Sequence, residues 1–257
     1  MLWVKEVGQG PPLIMLHAAG TSGRIWWQHV PRLAQRFRVL TIDLPGHGQS
    51  PRPKEPLSIE GMSAELYQTL QTLNLPQVHL VGLSLGGMVA QMLSVDHPSS
   101  VCSLTLCDTT CEIGPPQAQV LEERARAVEE GGMSAIVRST LERWFSPLFF
   151  TSHPDVVTEV EKLLLAADPI VNAQTWRAIA KLNVMSRLEK LHLPALVMNG
   201  SLDNSIPPGA GERLANLLGA RLVELPGCAH MAPLEAPERF IELLESFLLN
   251  DEAATHR

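Results

Sequence analysis

The 257-residue sequence predicts an α/β protein, a mostly parallel, doubly wound sheet interrupted once by an inserted helical cap. Three observations predict it. Through residues 1–110, short apolar runs alternate with segments of helical periodicity, the rhythm of strands joined by crossover helices. From 111 to 192 no convincing strand occurs and the pattern is helical throughout. From 193 to 257 the strand rhythm resumes, so one sheet domain is split by a helical insertion.

The elements follow in order. "PLIMLH" (12–17) and "FRVLTID" (37–43) read as buried strands. Ile59, Met62, Leu66, Leu70 and Leu73 recur at steps of three and four, one face of a helix. "VHLVG" (78–82) is a third strand, followed by a helix over 85–95, and "VCSLTLCD" (101–108) is a fourth. In the insertion, Val120, Leu121, Ala125 and Val128 share a helix face closed by Gly131-Gly132. Met133, Val137, Leu141 and Trp144 mark a second helix, and Val156, Val160, Leu163 and Ala167 a third. "DPIVNAQTWRAIAKL" opens a fourth, with Asp168 as N-cap and Pro169 at the first helical position. "PALVMNG" (194–200) and "ARLVELPG" (220–227) restore the sheet. A last amphipathic helix carries Phe240, Leu243, Leu244, Phe247 and Leu248, and the polar tail from Asp251 is expected to fray.

Composition narrows the function. Lys and Arg number 20 against 27 Asp and Glu, a net charge of −7 without a basic run, which argues against a nucleic-acid partner. No apolar stretch reaches the length of a membrane span, and the N-terminus does not read as a secretory signal. Cys102, Cys107, Cys111 and Cys228 fit neither a zinc site nor a disulfide framework, so reduced thiols in a cytoplasmic protein are expected.

The chemistry gathers at strand ends. Gly82-Leu83-Ser84-Leu85-Gly86 fits G-x-S-x-G directly between a strand and a helix. Such a turn strains the serine backbone, and small residues two before and two after relieve the crowding. The hydroxyl is thereby exposed above a helix N-terminus, where the N–H of Leu85 can bind a developing oxyanion. A serine nucleophile needs a base and an acid to orient that base, in the chain order Ser, Asp or Glu, His. Asp203 lies in the loop after the strand over 194–200, and His230 in the loop after the strand over 220–227. All three therefore emerge at the C-terminal edge of the sheet. Asp108 is the rival acid at the same edge. Asp43 precedes the serine and fits this order poorly, and His47 is expected to make structural hydrogen bonds. "LHAAGTSG" follows the first strand, and the N–H of Ala19 is the candidate second oxyanion donor.

Together these residues resemble the α/β-hydrolase superfamily over essentially the whole chain. "LHAAG" looks like its His-Gly-x-Gly oxyanion loop with Ala18 in place of a glycine, "DLPGHGQS" like its D-x-x-G-x-G-x-S turn, and "GLSLGG" like its nucleophile elbow. "GSLDNSIP" and "PGCAHMAPLEAPE" look like its acid and histidine loops. Within the superfamily the chain is similar to 3-oxoadipate enol-lactonases, through "GLSLGGMVAQ", "CDTTCEIG" and "RARAVEEGGMSAIVRSTLERWFSP". It departs from them at 171–179, where a Gly-Tyr and small or Cys residues before an Ala-Ile pair are replaced by Val171-Asn172-Ala173-Gln174-Thr175-Trp176-Arg177. "LWVKEV" would serve as the family's second strand, with the first absent or shortened.

The resulting expectation is hydrolysis of a small-molecule ester or lactone by Ser84, His230 and Asp203, with Leu85 and Ala19 N–H groups at the oxyanion and no cofactor or metal required. Trp144, Met231, Trp26 and Trp176 are the candidates to line a substrate pocket under the cap, with apolar or aromatic acyl groups as suitable occupants. A carbon–carbon bond hydrolase would use the same triad. A haloalkane dehalogenase would need a carboxylate where Ser84 stands. A non-catalytic ligand receptor on the same fold is the reading from a different class, and turnover of a simple aryl ester separates it from an enzyme.

Overall fold

The computed structural model describes residues 1–255. Chain order is β1 (Val4–Val7), β2 (Pro12–Leu16), α1 (Val30–Leu33), β3 (Arg38–Ile42), α2 (Ile59–Thr72), β4 (Val78–Leu83), α3 (Leu85–Asp96) and β5 (Val101–Cys107). Then come α4 (Pro115–Gly131), α5 (Val137–Trp144), α6 (Pro147–Ser152), α7 (Pro154–Leu165), α8 (Pro169–Ile179) and α9 (Met185–Leu188). The chain ends with β6 (Ala195–Gly200), α10 (Ala210–Leu218), β7 (Arg221–Leu225), α11 (Ala232–Glu235) and α12 (Pro237–Thr255).

The seven strands form one sheet in the order β1-β3-β2-β4-β5-β6-β7. The pair β1–β3 is antiparallel and every other neighbouring pair is parallel. Because strand side chains alternate, each strand feeds two cores. Ile14, Leu16, Leu40, Ile42 and Leu80 pack with Leu66 and Leu70 of α2, Val89 of α3 and Leu214 of α10. Leu13, Met15, Val39, Val81 and Leu83 face the other way, toward Leu33 of α1 and Phe240 and Leu244 of α12. This two-sided burial is why the inner strands read as uninterrupted apolar runs. Edge strand β1 is largely exposed and carries Lys5 and Glu6 between its two valines, which suits a strand with one unpaired side.

Helices α4 to α9 lie between β5 and β6 and form the cap. The Asp168 carboxylate accepts from Ile170 N at 2.8 Å and Val171 N at 3.3 Å, capping α8 with Pro169 at its first position. Arg177 of α8 reaches Glu122 of α4 at 2.9 Å. The cap is also tied to the sheet domain. Glu235 accepts from Ser146 N and Oγ on one side and from Ala229 N at 2.7 Å on the other. Met231 N donates to the carbonyl of Trp144 at 3.0 Å.

The structure corrects details of the expected cap. Met133 belongs to a 3₁₀ turn before α5, and Ala167 lies beyond the end of α7. Helix α6 is too short for its periodicity to register, although Ser146 caps it and Pro147 opens it. Val120 is 52% exposed rather than core. Helix α12 is assigned to Thr255. Residues 256–257 lie outside the described residues. Among the described residues no helix is long and apolar enough to cross a membrane.

Candidate active site

The turn from β4 into α3 places Ser84 at φ +52° and ψ −113°, a left-handed conformation forced by the abrupt change from strand to helix. Two close approaches explain the flanking glycines. A Cβ on Gly82 would lie 2.4 Å from the carbonyl oxygen of Gly86, and one on Gly86 would lie 2.4 Å from that of Leu16. The strained turn is held from outside. Ser84 N donates to Cys107 O at 2.9 Å, and Thr109 Oγ1 donates to Ser84 O at 2.7 Å.

The loops after β6 and β7 bring the other two predicted residues to Ser84. His230 Nε2 lies 3.0 Å from Ser84 Oγ, and His230 Nδ1 lies 2.9 Å from Asp203 Oδ2. A carboxylate accepts only, so Nδ1 carries the proton and Nε2 is left as the acceptor for the serine hydroxyl. The second oxygen of Asp203 accepts from Ser205 N at 2.7 Å, which fixes the carboxylate. The imidazole and carboxylate side chains are almost fully buried, at 3% and 1% exposure.

Asp108 makes no hydrogen bond to the imidazole. Its two oxygens accept from Gly200 N at 2.7 Å and Ala232 N at 3.2 Å. It thus pins the end of β6 to the start of α11 behind the histidine loop. Burial, and then the neighbouring Asp203 carboxylate, push the Asp108 carboxyl above the usual range, while the two N–H bonds pull the other way. Asp43 accepts from Gly23 N and Gln49 N, and His47 Nδ1 donates to Pro45 O, so both shape the turn after β3.

Ala19 stands in the loop after β2 and Leu85 opens α3. Among the described residues neither N–H donates to a protein group, whereas neighbouring Gly86 N is engaged by His17 O and Thr21 N by Ala18 O. The loop is braced by His17, which sequence reasoning left without a role. Its Nε2 accepts from Leu44 N at 2.9 Å, so Nδ1 carries the proton donated to Ala18 O at 2.8 Å. Complete burial lowers the His17 pKa to about 4, which keeps the ring neutral.

A cavity of ≈ 260 Å³ opens between Ser84, His230 and the cap. Trp144 and Trp176 line it, and the Trp144 ring centroid is 5.8 Å from that of His230. Two candidates do not line it. Trp26 stacks on Phe240 at 5.9 Å, edge-on to His29, in the core under α12. Met231 adjoins His230 in sequence but points into the same core. Sequence reasoning missed two arginines in the wall, Arg124 on α4 and Arg143 on α5. Their signal was spacing: Gln117, Leu121 and Arg124 share one helix face, and Arg143 adjoins Trp144. Burial lowers the pKa of Arg143, partly offset by the Asp203 carboxylate, but a guanidinium stays charged.

The chain is similar along most of its length to known proteins. The chain is 27% identical over 238 residues to 3-oxoadipate enol-lactonase 2 of Acinetobacter baylyi, covering 93% of this chain and 88% of the relative. It is 30% identical over 255 residues to the pimeloyl-[acyl-carrier protein] methyl ester esterase of Aeromonas hydrophila, covering 95% and 98%. The crystal structure of the enol-lactonase from Burkholderia xenovorans LB400 superposes with a TM-score of 0.92 at 29% identity, over 96% of each chain. The model of the alpha/beta hydrolase family matches residues 13–243, which take in the sheet from β2 to β7, the elbow at Ser84 and the loops of Asp203 and His230. On that match, and on the architecture that carries it, the chain belongs to the alpha/beta hydrolase family.

Proposed function

We propose that this protein hydrolyses a carboxylic ester or lactone by two-step acyl transfer, with Ser84 as nucleophile, His230 as general base and Asp203 as its orienting acid. The observation that carries the reading is the unbroken hydrogen-bonded series from Ser84 Oγ through the imidazole to Asp203, opening on a cavity. In the first step Ser84 Oγ attacks the carbonyl carbon while His230 Nε2 takes its proton. The oxyanion is received by the N–H groups of Leu85 and Ala19, each worth roughly 3 kcal/mol in such holes. The imidazolium, steadied by Asp203, returns the proton to the leaving alkoxide and the acyl-enzyme forms. Water then attacks the acyl carbon with His230 again as base, releasing the acid and restoring Ser84.

The named relatives, an enol-lactonase and a methyl ester esterase, support ester or lactone chemistry for this chain. The four free cysteines support a cytoplasmic setting. The test is steady-state hydrolysis of short 4-nitrophenyl esters beside 3-oxoadipate enol-lactone, with Ser84→Ala as the blank. Wild type is expected to turn over, and Ser84→Ala to lose about 10⁴-fold or more in kcat. A lactone preferred by orders of magnitude in kcat/KM marks an enol-lactonase, and preferred simple esters mark a carboxylesterase. Equal turnover by Ser84→Ala and wild type removes the reading.

A further inference from the structure

Three backbone donors around His230 are engaged, and two of them lead to the cap. Ala229 N donates to Glu235 Oε1 at 2.7 Å, Met231 N to Trp144 O at 3.0 Å and Ala232 N to Asp108 Oδ2 at 3.2 Å. The first two residues flank His230 in the chain. Glu235 also reaches beyond the histidine loop. Ser146, between α5 and α6, donates to the same carboxylate through N, at 3.2 Å from each oxygen, and through Oγ. In the last turn of α5, Arg143 Nε donates to Ser205 Oγ at 3.0 Å, and Ser205 N holds Asp203 Oδ1 at 2.7 Å. The cap segment 143–146 is therefore bonded to the loops of both the base and the acid.

Glu235 is the acidic member of this set. It is half-buried, and among the described residues no cation pairs with it. Its carboxylate is met instead by Ala229 N, Ser146 N and Ser146 Oγ. Hydrogen bonds to an ionised acceptor are roughly twice as strong as neutral ones, which makes this carboxylate the firmest joint between loop and cap. The imidazole follows the backbone that carries it, and its nitrogens must stay within reach of Ser84 Oγ and Asp203 Oδ2 at once, at 3.0 and 2.9 Å. A displacement of about 1 Å in such a geometry costs on the order of 10²-fold in rate. Resting on the hydrolase reading above, we propose that Glu235 is a positioning residue for His230. It touches no reacting atom; it fastens the histidine loop to Ser146, so that docking of the α5–α6 junction sets the imidazole between Ser84 and Asp203.

His230 is read in two ways, one of them without turnover. In protein carrying 15N-histidine, the ring nitrogen signals missing from His230→Ala belong to His230 and report its tautomer. Wild type is expected to hold the proton on Nδ1. Glu235→Ala is expected to mix the tautomers and to lower kcat on 4-nitrophenyl acetate about tenfold or more, with KM within about threefold. Glu235→Gln keeps an acceptor for Ala229 N and a donor for Ser146 Oγ, so it restores part of both. Ser146→Ala cuts only the cap side of the joint. Its loss in kcat is expected to be smaller, and to add little when combined with Glu235→Ala, because both act through one link. Arg177→Met removes a tie between α8 and α4 instead, and is expected to change neither reading. His230 signals unmoved in Glu235→Ala overturn the proposal whatever the turnover. So does a fully additive loss in the double variant, the result expected of two separate structural contacts. Should Glu235→Ala fail to fold, wild-type signals and kcat in both Glu235→Gln and Ser146→Ala overturn it equally. Signals that move in a protein hydrolysing no ester leave the positioning link standing and remove the hydrolase reading.

Discussion

Ser84 occupies a backbone conformation that costs about 1–3 kcal/mol for a residue with a side chain, and the bonds from Cys107 and Thr109 keep it there. Its neighbours divide the acidic work. Asp203 faces His230, while Asp108 spends both oxygens on backbone N–H groups. Asp203→Asn would place an amide where a carboxylate receives the imidazole N–H, favouring the wrong tautomer, so kcat on an aryl ester is expected to fall about 10³–10⁴-fold. Asp108→Asn is expected to lower stability by about 1–3 kcal/mol, through a polar mismatch at Gly200 N or Ala232 N, and to reduce kcat less than tenfold. Parallel kinetics and thermal denaturation check both, and a larger kcat loss in Asp108→Asn would show the acid to be misassigned. The positions of Ser84, Asp203 and His230 were legible because each sits in a short motif with its own reason for being where it is. Arg124 and Arg143 were not, because charged residues on cap helices ordinarily face water, and only the packing shows which ones turn inward.

At the scale of elements, the elbow is a contact between α3 and β2 as much as a turn. Gly86 lets the first turn of α3 reach His17 O through its own N–H. Gly86→Ala would bring Cβ within 2.4 Å of Leu16 O, a backbone atom that cannot swing aside. The helix must back away, carrying the Leu85 N–H with it. The expected result is a loss of about 1–3 kcal/mol of stability together with a fall in kcat. Unchanged melting and unchanged kcat would show that the close approach has no consequence. Elements long enough to show their period, such as α2, α8 and α12, were readable from the sequence, and α8 also announced itself through Asp168 and Pro169. The six residues of α6 give too little pattern to count. Trp26 shows the opposite limit: a large aromatic near a loop reads equally as pocket or core, and only its stacking on Phe240 decides.

For the whole molecule, the parallel sheet does two jobs that the sequence rhythm foreshadows. It buries a core on each face, and its C-terminal edge collects β4, β6 and β7 so that residues 84, 203 and 230 meet. Periodicity carries the first job, and strand order carries the second once the strands are taken as parallel. What periodicity does not carry is how the cap seats on the edge. That depends on Glu235 joining Ser146 to Ala229, and on Met231 N reaching Trp144 O. These long-range bonds leave no local pattern. Hydrolysis by this site requires that Ser84 become acylated. The most direct measurement is rapid-quench mass spectrometry with 4-nitrophenyl acetate, followed by peptide mapping. A burst approaching one equivalent of nitrophenolate is expected, with an acetyl group on the peptide containing Ser84, both absent from Ser84→Ala. Turnover with no acyl group on that peptide, or an undiminished burst from Ser84→Ala, would contradict it.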